Sequence, residues 1–195
     1  MEFKKKNISE LLSLLREWIP ITAEFEKALY RCMELQLVRA KKELTILSKD
    51  IHYAWFSVDC WIAEYRTLAS GKEEVYTIYG PKQIFTDINS FLTETASNHK
   101  FMIISGERLL SIERSNFQYL RKFSETALLL EHYMLQQWEL DRWHSELMTY
   151  SDYEKVSHFA KKYPINDLPA KVSSSFLRMT PSRFSGARLL FNKNK

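Results

Sequence analysis

Arginine and serine side chains alternate over a short stretch near the C-terminal end of the chain, and this combination can bind DNA. Arginine can donate two hydrogen bonds to the edge of a guanine, whereas serine and threonine hydroxyls mostly bind phosphate oxygens. Arg183 is the best candidate for a contact with a base. The other candidate DNA contacts are Ser174, Thr180, Ser182, Ser185 and Arg188.

The pattern around these residues predicts two short helices joined by a tight turn. Thr180 is a hydroxyl N-cap, and it is followed by a proline at the first helical position. The N–H that proline lacks would have no intrahelical partner at this position. Phe184, Ala187 and Leu190 with Phe191 then recur at spacings of three and four, which predicts an inward stripe. A capped helix with an apolar back and an Arg/Ser front, preceded by another short helix, is typical of a helix-turn-helix.

The distribution of charge agrees with a DNA-facing end. From Lys161 onward eight basic residues stand against one acid, so this segment carries +7, and the total of +4 leaves −3 for the rest of the chain. A basic end on a nearly neutral body is expected when that end meets phosphate. A solvated basic terminus would give the same charge, and that alternative stays open.

Length and composition favour a folded protein in the cytoplasm. The 195 residues are 45% hydrophobic, enough for one domain of ordinary size plus a small one. No apolar run approaches the ~20 residues that span a bilayer, and the N-terminus lacks the apolar core of a signal peptide. Cys32 and Cys60 form no CxxC motif, so we expect buried, reduced thiols. We expect no membrane partner.

Hydrophobic periodicity divides the chain into helical, strand and helical parts. Residues 7–18 and 22–33 have the spacing of two helices, and from Glu34 to Glu113 the period falls to about two. Turn signals at Gly71 and Gly106 separate strand pairs, so we expect an antiparallel barrel or jelly roll. The predicted strands are 34–39, 44–47, 51–56, 61–66, 74–79, 100–104 and 108–112, with a short helix or loop near 85–93.

A long helix is predicted over residues 114–148, and a capping box at 151–154 begins another helix that ends near 162. The long helix carries two stripes, which is typical of a helix that packs on its own domain and on a partner helix. We predict the first stripe as the dimer interface, with burial of the whole helix within one subunit as the alternative. The first stripe is Leu130, Met134, Gln137 and Asp141, and the second is Leu128, Leu135, Trp138 and Arg142.

The order and length of these parts resemble the Crp/Fnr family of bacterial regulators. The segment PAKVSSSFLRMTPSRFS at 169–185 is similar to that family's P-x-K-x-I-A-x-Y-L-G-I-T-P-E-T-L-S-R, and GKEEV at 71–75 and DINSFLT at 87–93 are similar to its D-G-K-E hairpin and D-x-x-S-F-L-T segment. The likeness is greatest to the short, degenerate branch common in Bacteroidetes-type genomes. It implies an α+β fold, with a cyclic nucleotide-binding-like antiparallel jelly roll, N-terminal helices and a dimerisation helix at 1–148, and a helix-turn-helix domain at 149–195.

Departures from the family pattern affect both the effector site and the helix pair. Asp87 stands where the family has Glu, Thr86 replaces a glycine, and 93–100 contains no arginine. A buried phosphate needs a paired cation and backbone N–H donors, so we do not expect cyclic AMP to bind in the usual way. The candidate effector-binding residues are Asp87, His99 and Lys100. In the helix pair, Arg178 takes the turn glycine's place, Ser173 an inward apolar position, and Gly186 the place of a DNA-facing arginine.

Other chemistries find little support in the sequence. The five histidines lack metal-ligand spacing, and the serines at 173–175 have no flanking glycines of a nucleophile elbow. We therefore expect no enzyme, no metal site and no cofactor. Aromatic residues at strand spacing are expected in the barrel core, although they could line a cavity. They are Trp55, Trp61, Tyr65, Tyr76 and Tyr79.

Together these observations predict a homodimeric, DNA-binding transcription regulator with a possible small-molecule effector. The partner is double-stranded DNA, and a dimer would place two recognition helices about 34 Å apart. Arg178 and Gly186 motivate an alternative, a ligand-sensing or interaction module that kept the fold and lost DNA binding.

Overall fold

The computed structural model describes residues 2–45 and 49–194, so part of the strand predicted at 44–47 lies outside the described residues. The helices are α1 (Glu2–Trp18), α2 (Ala23–Cys32), α3 (Ile88–Thr93), α4 (Arg114–Leu120), α5 (Ser124–Leu147), α6 (Asp152–Lys162), α7 (Ala170–Phe176) and α8 (Pro181–Lys193). The strands are β1 (Met33–Leu37), β2 (Tyr53–Ser57), β3 (Trp61–Thr67), β4 (Glu73–Tyr79), β5 (Ile84–Phe85), β6 (His99–Ser105) and β7 (Arg108–Glu113).

The strands form two antiparallel sheets, β1-β7-β2-β5 and β4-β3-β6. Aromatic side chains fill the space between them. The ring of Trp55 stacks on that of Phe85 with 5.5 Å between centroids, and the Phe101 ring centroid is 5.8 Å from that of Trp55. The predicted turn glycines have positive φ, and a Cβ at Gly106 would lie 2.5 Å from the carbonyl oxygen of Asp59. Gly106 is therefore required, because both its conformation and its surroundings exclude a side chain.

Helices cover the outer face of each sheet. Helices α1, α2 and α4 lie against the four-stranded sheet, where Phe56 and Leu110 are buried. Helices α6, α7 and α8 lie against the three-stranded sheet, and their core includes Val75 and Ile78 of β4. The backbone N–H of Val75 also donates to the Ser175 hydroxyl at 2.9 Å. The C-terminal helices thus share one hydrophobic core with the sheet.

The helix predicted over 114–148 is two helices, α4 and α5, which is a difference from the sequence expectation. The Thr126 hydroxyl donates to the carbonyl of Leu120 at 2.6 Å, so it satisfies a group at the end of α4. Phe123, in the break, packs edge-on against Phe25 of α2 at 5.6 Å. Neither contact involves glycine or proline, and the packing of Phe123 on Phe25 depends on the tertiary fold. Helix α1 also begins earlier than predicted, at Glu2.

Candidate functional site

Helix α8 has a polar face that is exposed to solvent and a short apolar face that packs on the protein. The Thr180 hydroxyl caps it by accepting a hydrogen bond from the backbone N–H of Arg183 at 3.4 Å. Phe184 and Ala187 are buried as predicted, but Leu190 is 53% exposed. Leu190 is six residues after Phe184, which places it about 120° away around the helix axis, whereas the half-buried Phe191 lies almost above Phe184.

Most of the candidate DNA contacts are on the surface of the helix pair. Thr180, Ser182, Arg183 and Ser185 are exposed, and Arg188 is half-buried. The guanidinium of Arg183 forms two hydrogen bonds with the carboxylate of Asp152 on α6, at 2.7 and 2.6 Å. Arg183 therefore has to release Asp152 before its guanidinium can meet a guanine edge.

Ser174 is not on this surface, contrary to the prediction. Its side chain is 2% exposed, and its hydroxyl donates to the carbonyl of Lys171 at 3.2 Å. Ser174 lies on the face of α7 that packs into the protein, so it cannot reach DNA in this arrangement. Its neighbour Ser173 is fully buried, as the sequence predicts, and its hydroxyl oxygen has no hydrogen-bond partner among the described residues.

The two substitutions in the helix pair leave its shape intact. Arg178 adopts a φ of 52°, the left-handed conformation for which glycine is the usual residue. The backbone N–H groups of Arg178 and Met179 donate to the carbonyls of Ser175 and Ser174, which closes the end of α7. A Cβ at Gly186 would meet nothing within 4 Å, so this position is open to solvent.

The predicted effector residues do not converge on one phosphate-sized site. Asp87 caps the short helix α3 by accepting from the Ser90 N–H at 3.2 Å, and its other oxygen accepts from the Ser97 hydroxyl at 2.6 Å. Lys100 pairs with Glu73 at 2.7 Å. Because successive residues of a strand point to opposite faces, Lys100 and its neighbour His99 diverge. Each of these groups is already bound within the protein.

His99 belongs instead to a buried polar network inside the roll. Its Nδ1 forms a short hydrogen bond with the carboxylate of Glu64, which is 3% exposed. The Tyr79 hydroxyl donates to the other oxygen of Glu64 at 2.8 Å. Burial alone would lower the pKa of His99, but the hydrogen bond and charge of Glu64 outweigh it and hold the pKa above its usual value. The network is therefore an internally satisfied ion pair.

Sequence reasoning missed Glu64 and Arg114. Glu64 follows Ile62 at strand spacing, so an acid at an inward position of a strand was the available signal. The guanidinium of Arg114 is buried, donates to the carbonyls of Phe91 and Ile51, and pairs with Asp50 at 3.0 Å. Nothing in the sequence around Arg114 indicates this role, because its partners come from distant segments.

The predicted dimer stripe of the long helix α5 is only partly exposed. The Tyr76 hydroxyl of β4 donates to Asp141 at 3.1 Å, and Gln137 lies 3.4 Å from the Tyr79 hydroxyl. Leu130 and Gln137 are half-buried, whereas Met134, at 54% exposure, and Asp141 are exposed. The large apolar residues of the second stripe are the exposed ones, and they are Leu128, Leu135 and Trp138.

Two other functional classes find no site in the part of the chain that the structure describes. Over 2–45 and 49–194, no group of histidine, cysteine, aspartate or glutamate side chains is arranged to hold a metal ion. Over the same residues, no helix has both the length and the apolar character that crossing a bilayer requires. Cys32 and Cys60 are buried and unbonded to each other.

The antiparallel sheets and the helices that pack on them match the fold of the cyclic nucleotide-binding domain of Crp/Fnr proteins. FixK2 from Bradyrhizobium japonicum is similar, with a TM-score of 0.71 and 13% identity over 83% of this chain and 85% of that one. The c-di-GMP responsive global regulator CLP of Xanthomonas campestris is also similar, with a TM-score of 0.66 and 10% identity over 89% of this chain and 93% of that one.

The catabolite activator protein of Thermus thermophilus is similar too, with a TM-score of 0.51 and 16% identity over 93% of this chain and 87% of that one. At these identities the likeness establishes the fold. No family model matches the sequence, and no curated protein matches it either. These structural neighbours are transcriptional regulators and not enzymes.

Proposed function

We propose that this chain is a homodimeric regulator of transcription that binds double-stranded DNA through α8. The observation that carries this proposal is the helix pair itself, in which a capped α8 exposes Ser182, Arg183 and Ser185. The net charge of +7 from Lys161 onward supports contact with phosphate. The likeness to FixK2 extends over 85% of that chain. Such a regulator would act in the cytoplasm, where the DNA is.

The dimer in this proposal uses the outward stripe of α5. Leu128 and Leu135 are seven residues apart and Trp138 follows three later, which is the spacing of a coiled-coil seam. All three are exposed, at 46%, 59% and 59%. A second copy packed along this stripe would bury them.

The oligomeric state tests the dimer directly. We expect Leu135→Glu to convert a dimer to a monomer in sedimentation at micromolar concentration, because it places a charge in the seam. Leu37→Glu is the matched control, since Leu37 is 70% exposed on β1, away from α5. Equal dissociation by both variants, or a monomeric wild type, contradicts the proposed interface.

The effector part of the proposal excludes cyclic AMP in the family's usual mode. Glu64 and His99 already pair with each other inside the roll, and Asp87 is committed to capping α3. An anionic ligand placed there would face the buried carboxylate of Glu64, while His99 is paired with Glu64 and Arg66 with Glu74. We propose no enzymatic activity and no resident cofactor for this chain.

DNA binding is tested by gel shift and footprinting on the upstream region of the protein's own gene. We expect binding that weakens steeply with salt, and a loss of about 5- to 150-fold for Arg183→Ala, corresponding to ~1–3 kcal/mol. Asp152→Asn should bind more tightly than wild type, because it frees the Arg183 guanidinium. Arg121→Ala is the charge-matched control, since Arg121 is exposed between α4 and α5. A folded dimer without salt-sensitive DNA binding would contradict the proposal.

A second candidate function is a sensing or interaction module that has lost DNA binding. The engagement of Arg183 by Asp152 and the glycine at 186 favour it. It predicts that Asp152→Asn remains without DNA affinity, whereas a footprint from wild type or from this variant excludes it.

A further inference from the structure

An apolar cavity lies outside the roll, beneath the N-terminal helices. Its volume is about 120 Å³. It is bounded by α1, α2, α4 and α5 and by the outer face of the four-stranded sheet, and it is separate from the network around Glu64. Its walls include Leu11, Phe25, Ala54, Phe56, Phe91 and Leu129.

The few polar groups in the wall are bound to the protein. The Thr86 hydroxyl donates to the carbonyl of Tyr53 at 3.0 Å, and the Tyr133 hydroxyl donates to the carbonyl of Thr86 at 3.1 Å. The Thr126 hydroxyl donates to the carbonyl of Leu120 at 2.6 Å. All three hydroxyls therefore already donate within the protein, and the rest of the wall is almost entirely apolar. The cavity is therefore suited to an apolar occupant.

We propose that this cavity binds a small apolar group. An engineered protein cavity of about 150 Å³ with similar lining stays dry and takes up benzene, so about 120 Å³ suits a single ring or a few methylenes. The group can come from a free hydrocarbon-like molecule or from the end of an acyl chain, and both offer the same apolar surface to the wall.

A polar groove next to the cavity would distinguish these two sources. Trp18 and Ile84 line both the cavity and a groove of about 460 Å³, which also contains Lys82 and Gln137. An acyl chain that enters past Trp18 would leave its carboxylate in this groove beside the Lys82 ammonium. A neutral hydrocarbon makes no such contact.

A molecule bound in the cavity would contact α5. Thr126, Leu129 and Tyr133 form part of the cavity wall, whereas Leu128 and Leu135 of the same helix are exposed on the other side. A molecule in the cavity therefore pushes on the inner face of the helix whose outer face is the proposed dimer seam. This regulatory step rests on the proposed function, but ligand binding does not.

The test is a melting experiment on the full chain with toluene and with octanoate. At ten times its Kd a ligand multiplies the ratio of folded to unfolded protein about elevenfold and raises Tm by roughly 3–6 °C. We expect toluene to give this shift, and Ala54→Leu and Leu129→Phe each to abolish it by filling the cavity. Ala40→Leu and Leu189→Phe are the matched controls, because both positions are exposed and outside the cavity.

Octanoate separates the two sources. If an acyl chain is accepted, octanoate also raises Tm, Ala54→Leu removes the shift, and Lys82→Gln weakens octanoate while leaving toluene unchanged. If only toluene acts, the source is a free neutral molecule. The absence of any shift with either probe, or a shift that persists in both filled variants, overturns the proposal. DNA affinity measured with and without toluene then tests only whether binding in the cavity is coupled to DNA binding. The melting experiment detects toluene binding even if the chain does not bind DNA.

Discussion

The interior of the roll and the surface of the helix pair both depart from the family pattern, but they respond differently. Inside the roll, Glu64 and His99 form an internal ion pair. On the helix pair, Arg178 adopts the left-handed backbone of the missing glycine, and Gly186 leaves an open position. A buried polar change has to be compensated by partners, because an unpaired buried charge is expensive. A surface change needs no partner and alters only what the surface can bind.

The largest expected effect is at the buried pair. Replacing His99 by alanine leaves the Glu64 carboxylate without its cation, so His99→Ala should lower the free energy of unfolding by about 3–5 kcal/mol. His52→Ala is the matched control, because His52 pairs with Asp50 at 3.4 Å and its side chain is 61% exposed. That exposed pair should contribute below about 1 kcal/mol. Similar losses in urea melts of the two variants would mean that His99 is not the structural partner of Glu64.

The same pair should make stability depend on pH. The folded state holds the pKa of His99 above its unfolded value of about 6.5. A raised pKa means that the stabilisation is fully present below pH ~6.5 and is lost as the pH rises through the folded pKa. We expect the difference in unfolding free energy between wild type and His99→Gln to be largest at pH 6 and to shrink toward pH 9. A constant difference over this range would contradict the charged pair.

A smaller gain is expected where a buried hydroxyl has no partner. Ser173→Ala removes the unsatisfied oxygen of a fully buried side chain and should raise the unfolding free energy by about 1 kcal/mol. Ser185→Ala, at an exposed position of α8, should stay within about 0.5 kcal/mol of wild type. Destabilisation by Ser173→Ala in chemical denaturation would indicate that the hydroxyl is bound after all.

The smallest effect is expected at the turn between α7 and α8. Arg178→Gly relieves a side chain held at a φ of 52° but adds flexibility to the unfolded chain, so a net gain of about 0.5 kcal/mol should remain. Arg39→Gly, in an exposed loop without positive φ, removes the same charge and should give no gain. If Arg178→Gly lowers the unfolding free energy as much as Arg39→Gly does, the turn stores no strain.

The sequence predicted those features that local chemistry decides. The caps at Thr180 and Ser151 and the turn glycine at Gly71 could be predicted, because each depends on residues a few positions away. The outward stripe of α5 could not, since both of its stripes carry apolar residues. Only the contacts of Tyr76 and Tyr79 in β4 decide which stripe turns inward.

The buried pair escaped prediction for a similar reason. Glu64 and His99 are 35 positions apart and meet only because β3 and β6 are neighbours in the sheet. The break between α4 and α5 likewise depends on Phe25 of another helix. The overall order of helices and strands, in contrast, followed from periodicity alone. DNA contact, the effector and the domain boundary at 148/149 stay predictions.

The core that joins α6, α7 and α8 to the three-stranded sheet has a consequence for cooperativity. Val75 and Ile78 of β4 are packed with Phe176 and Phe184 from the far end of the sequence. Neither the sheet nor the helix pair can open without uncovering apolar surface on the other. Strand β4 and the C-terminal helices therefore belong to one foldon, and these helices should protect the amides of β4 from hydrogen exchange as strongly as its partner strand does.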